Sequence, residues 1–244
     1  MVKEVTVRYM WMVAAVVLMA CGGQGRAERP DGGQAEAGEA GQGRAEAGGG
    51  GVVLVVGTSL TAGLGVDPSD AYPARLQERI DAAGLPFRVV NAGVSGETSA
   101  GALARMDWLL RQEPAVVVIE TGANDGLRGL DPDALEKNLT AIIERTRAAA
   151  PDAQIAVVQM EAPPNLGRTY TRRFREAYAN VAAEQDVALL PFPLTAVAGV
   201  DSLNQPDGIH PTPAGHRLMA EAIWPGLEPL LREAAVTARR AALR

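Results

Sequence analysis

The chain has 244 residues, a formal net charge of −6, one cysteine and two histidines. This length suits one well-buried domain with appendages, because a domain typically takes roughly 150 residues. The acidic balance and the lack of a dense Lys/Arg run argue against a nucleic-acid partner, since such binding rests on phosphate neutralisation. The few cysteines and histidines cannot form a disulfide framework or a His/Cys zinc cluster, so we expect no metal and no cofactor.

Residues 1–20 have the pattern of a secretory signal peptide. Lys3 and Arg8 precede an apolar run over residues 9–20 that is too short to span a bilayer. The run ends in Leu-Met-Ala directly before Cys21 and resembles the bacterial lipobox, in which cleavage leaves a lipidated N-terminal cysteine. A plain secretory signal and an uncleaved anchor remain alternatives. We expect lipid attachment at Cys21 and a location in the bacterial cell envelope, on the periplasmic face of a membrane.

Residues 21–51 predict a flexible tether that follows this cysteine. From Gly22 to Gly51 there is no bulky apolar residue, and the near-repeats at 34–38 and 44–48 mark low complexity. A flexible chain of about 30 residues has an end-to-end distance of about 30 Å. Such a tether would hold a folded domain clear of the membrane to which the lipid anchors it.

From residue 52 onward, aliphatic runs alternate with helical spacing. The runs at 52–56 and 115–119 are typical of strands buried on both faces of a parallel sheet. Five such alternations predict a three-layer α/β fold with a mostly parallel five-stranded sheet over residues 52–232. The shorter runs lie at 87–90, 155–158 and 187–190, and the helical patterns at Leu76 and Ile80, at Leu103, Met106 and Leu110, and at Leu135, Leu139 and Ile142.

The predicted C-terminal helix begins at Thr212 and Pro213. An interruption is predicted at Pro225 and Gly226, because proline removes a helix hydrogen bond and clashes with the preceding turn. Residues 233–244 are then expected to be a tail.

Polar residues follow three of the predicted strands. Ser59 lies just past the first strand, in a turn leading towards a helix; a helix-capping serine is the simpler alternative. The second strand is followed by Asn-Ala-Gly-Val-Ser-Gly at 91–96, where close glycines permit backbone amides to point at a ligand. The third is followed by Gly-Ala-Asn-Asp at 122–125, which brings the amide of Asn124 to the same edge. Each loop alone also fits an ordinary turn.

Asp207 and His210 lie three residues apart in a loop bounded by prolines. A nucleophilic serine needs a base, a third group that orients the base, and donors for the developing oxyanion. His216 is the only other imidazole, and its place in the last predicted helix favours a packing or exposed residue over the base. The remaining polar residues of these regions are interpreted as loop-structuring or solvated: Ser95, Asp125, Glu176, Glu184 and Asp186.

Taken together, these loops resemble those of the SGNH hydrolases, also called the GDSL esterase/lipase family, and within it the bacterial arylesterase, thioesterase and lysophospholipase group. The four loops match in order, and the resemblance covers roughly residues 52–231. It implies a flavodoxin-like sandwich with a five-stranded parallel sheet. The implied site consists of Ser59 as nucleophile, Asp207 and His210 completing the triad, and an oxyanion hole built from the backbone amides of Ser59 and Gly93 and the side chain of Asn124.

The chain departs from the family motif at one position. The usual Gly-Asp-Ser-Leu reads Gly-Thr-Ser-Leu over residues 57–60, with Thr58 in place of the aspartate. That aspartate is not the triad acid, so the proton-transfer residues remain, and a threonine hydroxyl still hydrogen-bonds the turn.

The resemblance implies a serine hydrolase of acyl esters or acyl thioesters that acts on a small acyl substrate. The second expected partner is the membrane, through the lipid anchor predicted at Cys21. An envelope carbohydrate O-deacetylase of the same fold, and a tethered binding module in which Thr58 accompanies lost catalysis, are the alternatives. An α/β-hydrolase is disfavoured, since no Gly-x-Ser-x-Gly elbow occurs. A dinucleotide-binding sheet is disfavoured as well, because Gly-x-Gly-x-x-Gly is missing after the first strand.

Overall fold

Five parallel strands form one sheet in the computed structural model, which describes residues 51–243. Their order across the sheet is β2-β1-β3-β4-β5. The predicted α/β fold with a five-stranded parallel sheet is confirmed. The predicted signal peptide, Cys21 and nearly all of the tether lie outside the described residues. The strands are β1 (Val52–Gly57), β2 (Arg88–Gly93), β3 (Pro114–Glu120), β4 (Gln154–Val158) and β5 (Ala188–Leu190).

The two most aliphatic runs of the sequence form the centre of the sheet. Strand β1 pairs with β2 on one side and with β3 on the other, with Val55 opposite Val118. Helices cover both faces here, so β1 is fully buried from Val53 to Val56. A strand covered on both faces has no solvent-facing positions, which explains the continuous hydrophobic run in place of an alternating one.

Seven α-helices connect and cover the strands within residues 51–243. Helix α2 packs against α7 on one face of the sheet, and α3, α5 and α6 pack side by side on the other. The predicted helical patterns correspond to α2, α3 and α5, except that Leu110 lies one residue past the end of α3. The helices are α1 (Ser59–Ala62), α2 (Tyr72–Ala82), α3 (Ser99–Leu109), α4 (Ala123–Leu127), α5 (Pro132–Ala149), α6 (Arg168–Glu184) and α7 (Pro213–Ala242).

Helix α7 corrects the predicted interruption. It runs unbroken through Pro225 and Pro229, and it includes residues 233–242, where a tail was expected. The reason is tertiary packing: a buried stripe with helical spacing continues past both prolines, as at Leu227 and Leu231. Burial of this stripe offsets the helix hydrogen bonds that the prolines remove.

The strand order reverses between β1 and β3. The chain leaves β1 for β2 on one side and then crosses to β3 on the other. In open α/β sheets, ligands bind in the crevice beyond the carboxyl ends of the strands at such a switch point. The loops after β1, β2 and β3 therefore border one crevice. Within residues 51–243, no helix is both long and apolar enough to cross a membrane.

Candidate active site

Ser59, His210 and Asp207 form a continuous hydrogen-bonded chain. Ser59 Oγ and His210 Nε2 are 2.9 Å apart, although 151 positions separate the two residues in sequence. His210 Nδ1 and Asp207 Oδ2 are 2.6 Å apart. These contacts have the distances that proton transfer from a hydroxyl to an oriented imidazole requires.

The turn that carries Asp207 and His210 orders its own polar groups. Asp207 Oδ1 accepts hydrogen bonds from the backbone N–H of Ile209, at 2.9 Å, and of His210, at 3.0 Å. The backbone N–H of His210, its ring and the N–H of Ile209 hold the pKa of the Asp207 carboxyl well below its usual range. The carboxylate is therefore ionised and keeps the proton of His210 on Nδ1, which leaves the Nε2 lone pair facing Ser59. Gly208 supplies the positive φ, 69°, that this turn needs.

Ser59 is the first residue of the short helix α1. Thr58 precedes it at the N-cap position but makes no side-chain capping bond, and Gly63 ends the helix at φ 72°. The Thr58 hydroxyl instead donates to Glu120 Oε1 at 3.0 Å, while the Thr58 N–H donates to Glu120 Oε2 at 3.1 Å. Thr58, at which the motif departs from the family, therefore contacts a second carboxyl group near the serine, that of Glu120.

Sequence reasoning missed Glu120. It is fully buried at the end of β3, and burial raises its pKa to about 7. A signal existed in the sequence, because a carboxyl residue directly follows the aliphatic run at 115–119 and lies two positions before the loop of Asn124 at 122–125. Without the fold, however, nothing linked that residue to the serine turn 62 positions away.

Asn124 lies on the same edge, in the first turn of α4. Its Nδ2 donates to the carbonyl of Glu97 at 3.0 Å, which fixes the orientation of the amide. A side-chain amide carries two N–H donors, so one remains for a ligand. Asn124 borders the same cavity as Ser59 and His210.

The predicted role of Gly93 is not supported by its position. Its backbone N–H donates to Asn91 Oδ1 at 2.9 Å, and the residue does not line the cavity. A Cβ on Gly93 would lie 2.2 Å from the backbone nitrogen of Ala62, so the glycine is needed for close packing of β2 against α1. Three residues later, Gly96 does line the cavity, at φ 78°, and its carbonyl accepts from Arg128.

A cavity of about 550 Å³ opens beside Ser59. His210, Asn124 and Gly96 border it at the serine end, and the wall leading away from them is mainly apolar. A concave apolar site with a few convergent polar groups is typical of small-molecule binding. The apolar wall includes Leu60, Leu127, Met160, Ala162, Pro163, Phe192, Leu194 and Ile209.

The remaining polar residues behave as predicted, with one exception. His216 is fully buried in α7, its Nδ1 accepts from the backbone N–H of Tyr72 at 3.3 Å, and burial lowers its pKa to about 4. It is therefore a neutral packing residue. Asp125 structures its loop by accepting from the N–H and hydroxyl of Ser99. Ser95, expected only to structure its loop, also borders the cavity. The three predicted surface carboxylates are exposed: Glu176, Glu184 and Asp186.

No group of three or more histidine, cysteine and carboxylate side chains suitable for a metal ion occurs within residues 51–243. The reactive groups described for this site are a hydroxyl, an imidazole, carboxylates and an amide.

Comparison with known families identifies the family of the chain. The family model of the GDSL-like lipase/acylhydrolases matches residues 55–218, more than half of the chain. The chain belongs to this family. As a GDSL-like hydrolase it is 47% identical over 180 residues to esterase TesA of Pseudomonas aeruginosa, a match that covers 73% of this chain and 89% of that protein.

Two further proteins are similar to this chain, one compared by sequence and one by its crystal structure. The chain is 38% identical over 180 residues to thioesterase 1/protease 1/lysophospholipase L1 of Escherichia coli K12, covering 73% of this chain and 84% of that protein. It also matches the crystal structure of the psychrotrophic esterase EstA from Pseudoalteromonas, inhibited by monoethylphosphonate. There the TM-score is 0.70 and the identity 34%, over 75% of this chain and 99% of that chain.

Proposed function

We propose that the protein hydrolyses acyl esters or acyl thioesters through a covalent acyl intermediate on Ser59. The observation that carries the proposal is the chain of hydrogen bonds from Ser59 Oγ through His210 to Asp207, at 2.9 and 2.6 Å. The substrate class is supported by the relatives named esterase, thioesterase and lysophospholipase. The assembled hydrogen-bonded chain argues against a binding module without catalysis.

In the acylation step, His210 Nε2 takes the hydroxyl proton as Ser59 Oγ attacks the acyl carbonyl carbon. The ionised Asp207 stabilises the imidazolium that forms. Collapse of the tetrahedral intermediate breaks the bond to the alcohol or thiol, which leaves with the proton from His210. Water then attacks the acyl-serine by the same route, so that a carboxylic acid is released and the Ser59 hydroxyl is restored.

The oxyanion hole in this proposal uses three donors. They are the backbone N–H of Ser59, an N–H of the Asn124 amide and the backbone N–H of Gly96. Gly96 replaces Gly93 because Gly96 borders the cavity, whereas the Gly93 N–H is already bonded to Asn91. Fixed donors stabilise the developing negative charge without reorganising at the moment of reaction.

The apolar wall of the cavity supports an acyl chain as the group held beyond the carbonyl. An acetylated sugar would present many hydroxyl groups to a wall that offers few hydrogen-bond partners. A panel of short and long acyl esters, acyl thioesters, lysophospholipids and acetylated sugars tests this choice. Preference for the acetylated sugars would favour the O-deacetylase alternative.

The nucleophile and base are tested by Ser59→Ala and His210→Ala with para-nitrophenyl acetate as substrate. Each variant should lose several orders of magnitude in kcat, and the double variant should be little worse, because the residues act as a unit. Ser69→Ala is a matched control, since Ser69 is an exposed serine whose backbone N–H and hydroxyl both donate to Asp67 Oδ1. Substantial activity in Ser59→Ala would remove the acyl-serine mechanism.

We also propose that the mature protein is attached to the periplasmic face of a membrane through a lipidated Cys21. The support is the sequence pattern alone: an apolar run ending in Leu-Met-Ala before the one cysteine of the chain. Cys21→Ser should release the protein from the membrane fraction or block its processing. Unchanged processing and partitioning would contradict the anchor.

A further inference from the structure

Glu120 is a buried carboxyl residue that contacts the serine turn without contacting the proton-transfer residues. Its Oε2 accepts from the backbone N–H of Thr58 at 3.1 Å and from the hydroxyl of Thr61 at 2.7 Å. Its Oε1 accepts from the hydroxyl of Thr58 at 3.0 Å. These two threonines lie one residue before and two residues after Ser59, so a single side chain contacts the turn on both sides of the nucleophile.

The neighbouring residues are adapted to this contact. A Cβ on Gly57 would lie 2.6 Å from Glu120 Oε2 and 1.9 Å from the Thr61 hydroxyl, so any other residue would displace the carboxyl group. The Thr61 and Tyr72 hydroxyls are 2.7 Å apart. The network therefore joins the serine turn to the end of β3 and to helix α2.

The serine turn needs such external support. Helix α1 has only four residues, and isolated helices of that length are unstable in water. Its N-cap residue, Thr58, makes no capping bond to the helix. Without another contact, the direction of the Ser59 N–H and Oγ would depend on a single turn of helix.

Burying a carboxyl group is costly, which indicates that Glu120 does more than fill space in the core. Glu120 is 0% exposed, and an apolar residue of similar size would fill this place without a desolvation penalty. The buried donors around it match an acceptor with two oxygens. A leucine or methionine would leave the Thr58 N–H without its partner.

We propose that Glu120 is a positioning residue that holds the serine turn, so that the Ser59 hydroxyl and backbone N–H both stay directed at the reacting carbonyl. This inference rests on the proposed function of Ser59. Glu120 acts by accepting hydrogen bonds, because N–H and O–H groups donate all three of these contacts. A neutral acceptor of the same shape should therefore replace it.

Two substitutions of Glu120 separate acceptance from space filling. In Glu120→Gln, the amide oxygen can accept from the Thr58 N–H and the Thr61 hydroxyl, and the amide nitrogen can donate to the Thr58 hydroxyl oxygen. We expect kcat within about threefold of the wild type. Glu120→Leu keeps the volume and removes every acceptor. We expect kcat to fall about 10²-fold with KM little changed, since misplacement of a reacting group by about 1 Å has costs on that scale.

Thr61→Val tests the same contact from the other side and avoids altering the buried carboxyl. It should lower kcat roughly tenfold with KM little changed, because one of three anchoring bonds is lost. The matched control is Thr146→Val, which removes an equally buried hydroxyl bonded to Ile142 in α5. The control should keep wild-type kcat. The double variant Glu120→Leu/Thr61→Val should be little worse than Glu120→Leu, because both changes remove one interaction.

All variants are assayed on the whole protein with para-nitrophenyl acetate, after circular dichroism has established folding. The inference would be overturned by an unchanged kcat in Thr61→Val, or by a loss in Thr146→Val equal to that in Thr61→Val. It would also be overturned by additive losses in the double variant, or by equal losses in Glu120→Gln and Glu120→Leu. Ser59→Ala separates this failure from failure of the proposed function. If Ser59→Ala is inactive and Thr61→Val is fully active, only the positioning role is wrong.

Discussion

Two histidines in this protein have opposite environments. His210 lies partly exposed at the cavity, where the ionised Asp207 contacts its Nδ1. His216 is enclosed in α7, and its burial favours the neutral form. The difference comes from what surrounds each ring: a base must reach both a carboxylate and the nucleophile, and only His210 does so.

The Asn124 amide gives the sharpest single-residue test of the oxyanion hole. Removing one such donor costs about 10²- to 10³-fold in kcat, roughly 3 to 4 kcal/mol. We expect Asn124→Ala to show that loss with a near-normal KM, because the bond strengthens as charge builds on the oxygen. Asn124→Asp should be at least as damaging, since it places an acceptor where a donor is needed.

Asn180→Ala on the exposed face of α6 provides the control and should leave both kcat and KM unchanged. A raised KM with kcat intact in Asn124→Ala would assign this amide to substrate binding. The hole would then consist of backbone donors only.

At the scale of elements, β2 ends at one glycine and the loop after it contains a second, and the two have different tasks. Gly93 lies against the backbone of Ala62, where an added Cβ would be 2.2 Å from the nitrogen. Gly96 has open space around it, with Arg128 Nη2 at 4.0 Å, but adopts φ 78°. Position 93 therefore has no room for a side chain. Position 96 has room for one, but its positive φ is unfavourable for any residue other than glycine.

Alanine substitutions should separate these two tasks. Gly93→Ala should destabilise the fold by about 1 to 3 kcal/mol or more, because backbone must move to relieve the clash. Gly96→Ala should cost about 1 to 2 kcal/mol for the left-handed conformation. It should also lower kcat, because the N–H proposed for the oxyanion hole is redirected.

Urea unfolding and kcat, measured on the same preparations, check both expectations. A Gly93→Ala protein with wild-type stability and a lost kcat would return the donor role to Gly93.

At the scale of the whole molecule, two buried groups give opposite pH dependences to the free energy of unfolding. Burial raises the pKa of Glu120 from 4.5 to about 7, so the folded state keeps a proton that the unfolded chain has released. This contribution to stability is full below about pH 4.5 and is lost as the pH rises through about 7. It amounts to about 3 kcal/mol at most.

His216 acts in the other direction. Burial lowers its pKa from 6.5 to about 4, so the unfolded chain binds a proton that the folded state lacks. Its contribution to stability is present above about pH 6.5 and is lost as the pH falls through about 4. Between pH 4.5 and 6.5 the two effects oppose each other.

Replacing either residue should reveal the pH dependence that the other one contributes to the free energy of unfolding. Relative to the wild type, the free energy of unfolding of Glu120→Gln should rise with pH between 4.5 and 6.5, by up to about 1.4 kcal/mol per pH unit. His216→Gln should show the opposite slope relative to the wild type. Urea unfolding at pH 4.5, 5.5 and 6.5 measures both slopes, and curves parallel to the wild type would contradict these environments.

Much of the fold could be predicted from local patterns. The five strands and the helices α2, α3 and α5 follow from runs and periodicities that span fewer than twenty residues. The highly charged helix α6 was missed in the sequence, although its buried residues, among them Phe174, Tyr178 and Val181, have the spacing of a helix face. The unbroken course of α7 also depended on packing.

The sequence by itself determined the features that are encoded within a few neighbouring residues. The turn of Asp207 and His210 is one, because three residues suffice to bring an acceptor to two N–H groups and a ring. Only the tertiary structure decided the contacts between distant segments. It brought His210 to Ser59 across 151 positions and Glu120 to Thr58 across 62. It also placed Gly96 at the cavity, a position that Gly93 does not share, because strand order and helix packing determine which backbone groups reach the cavity.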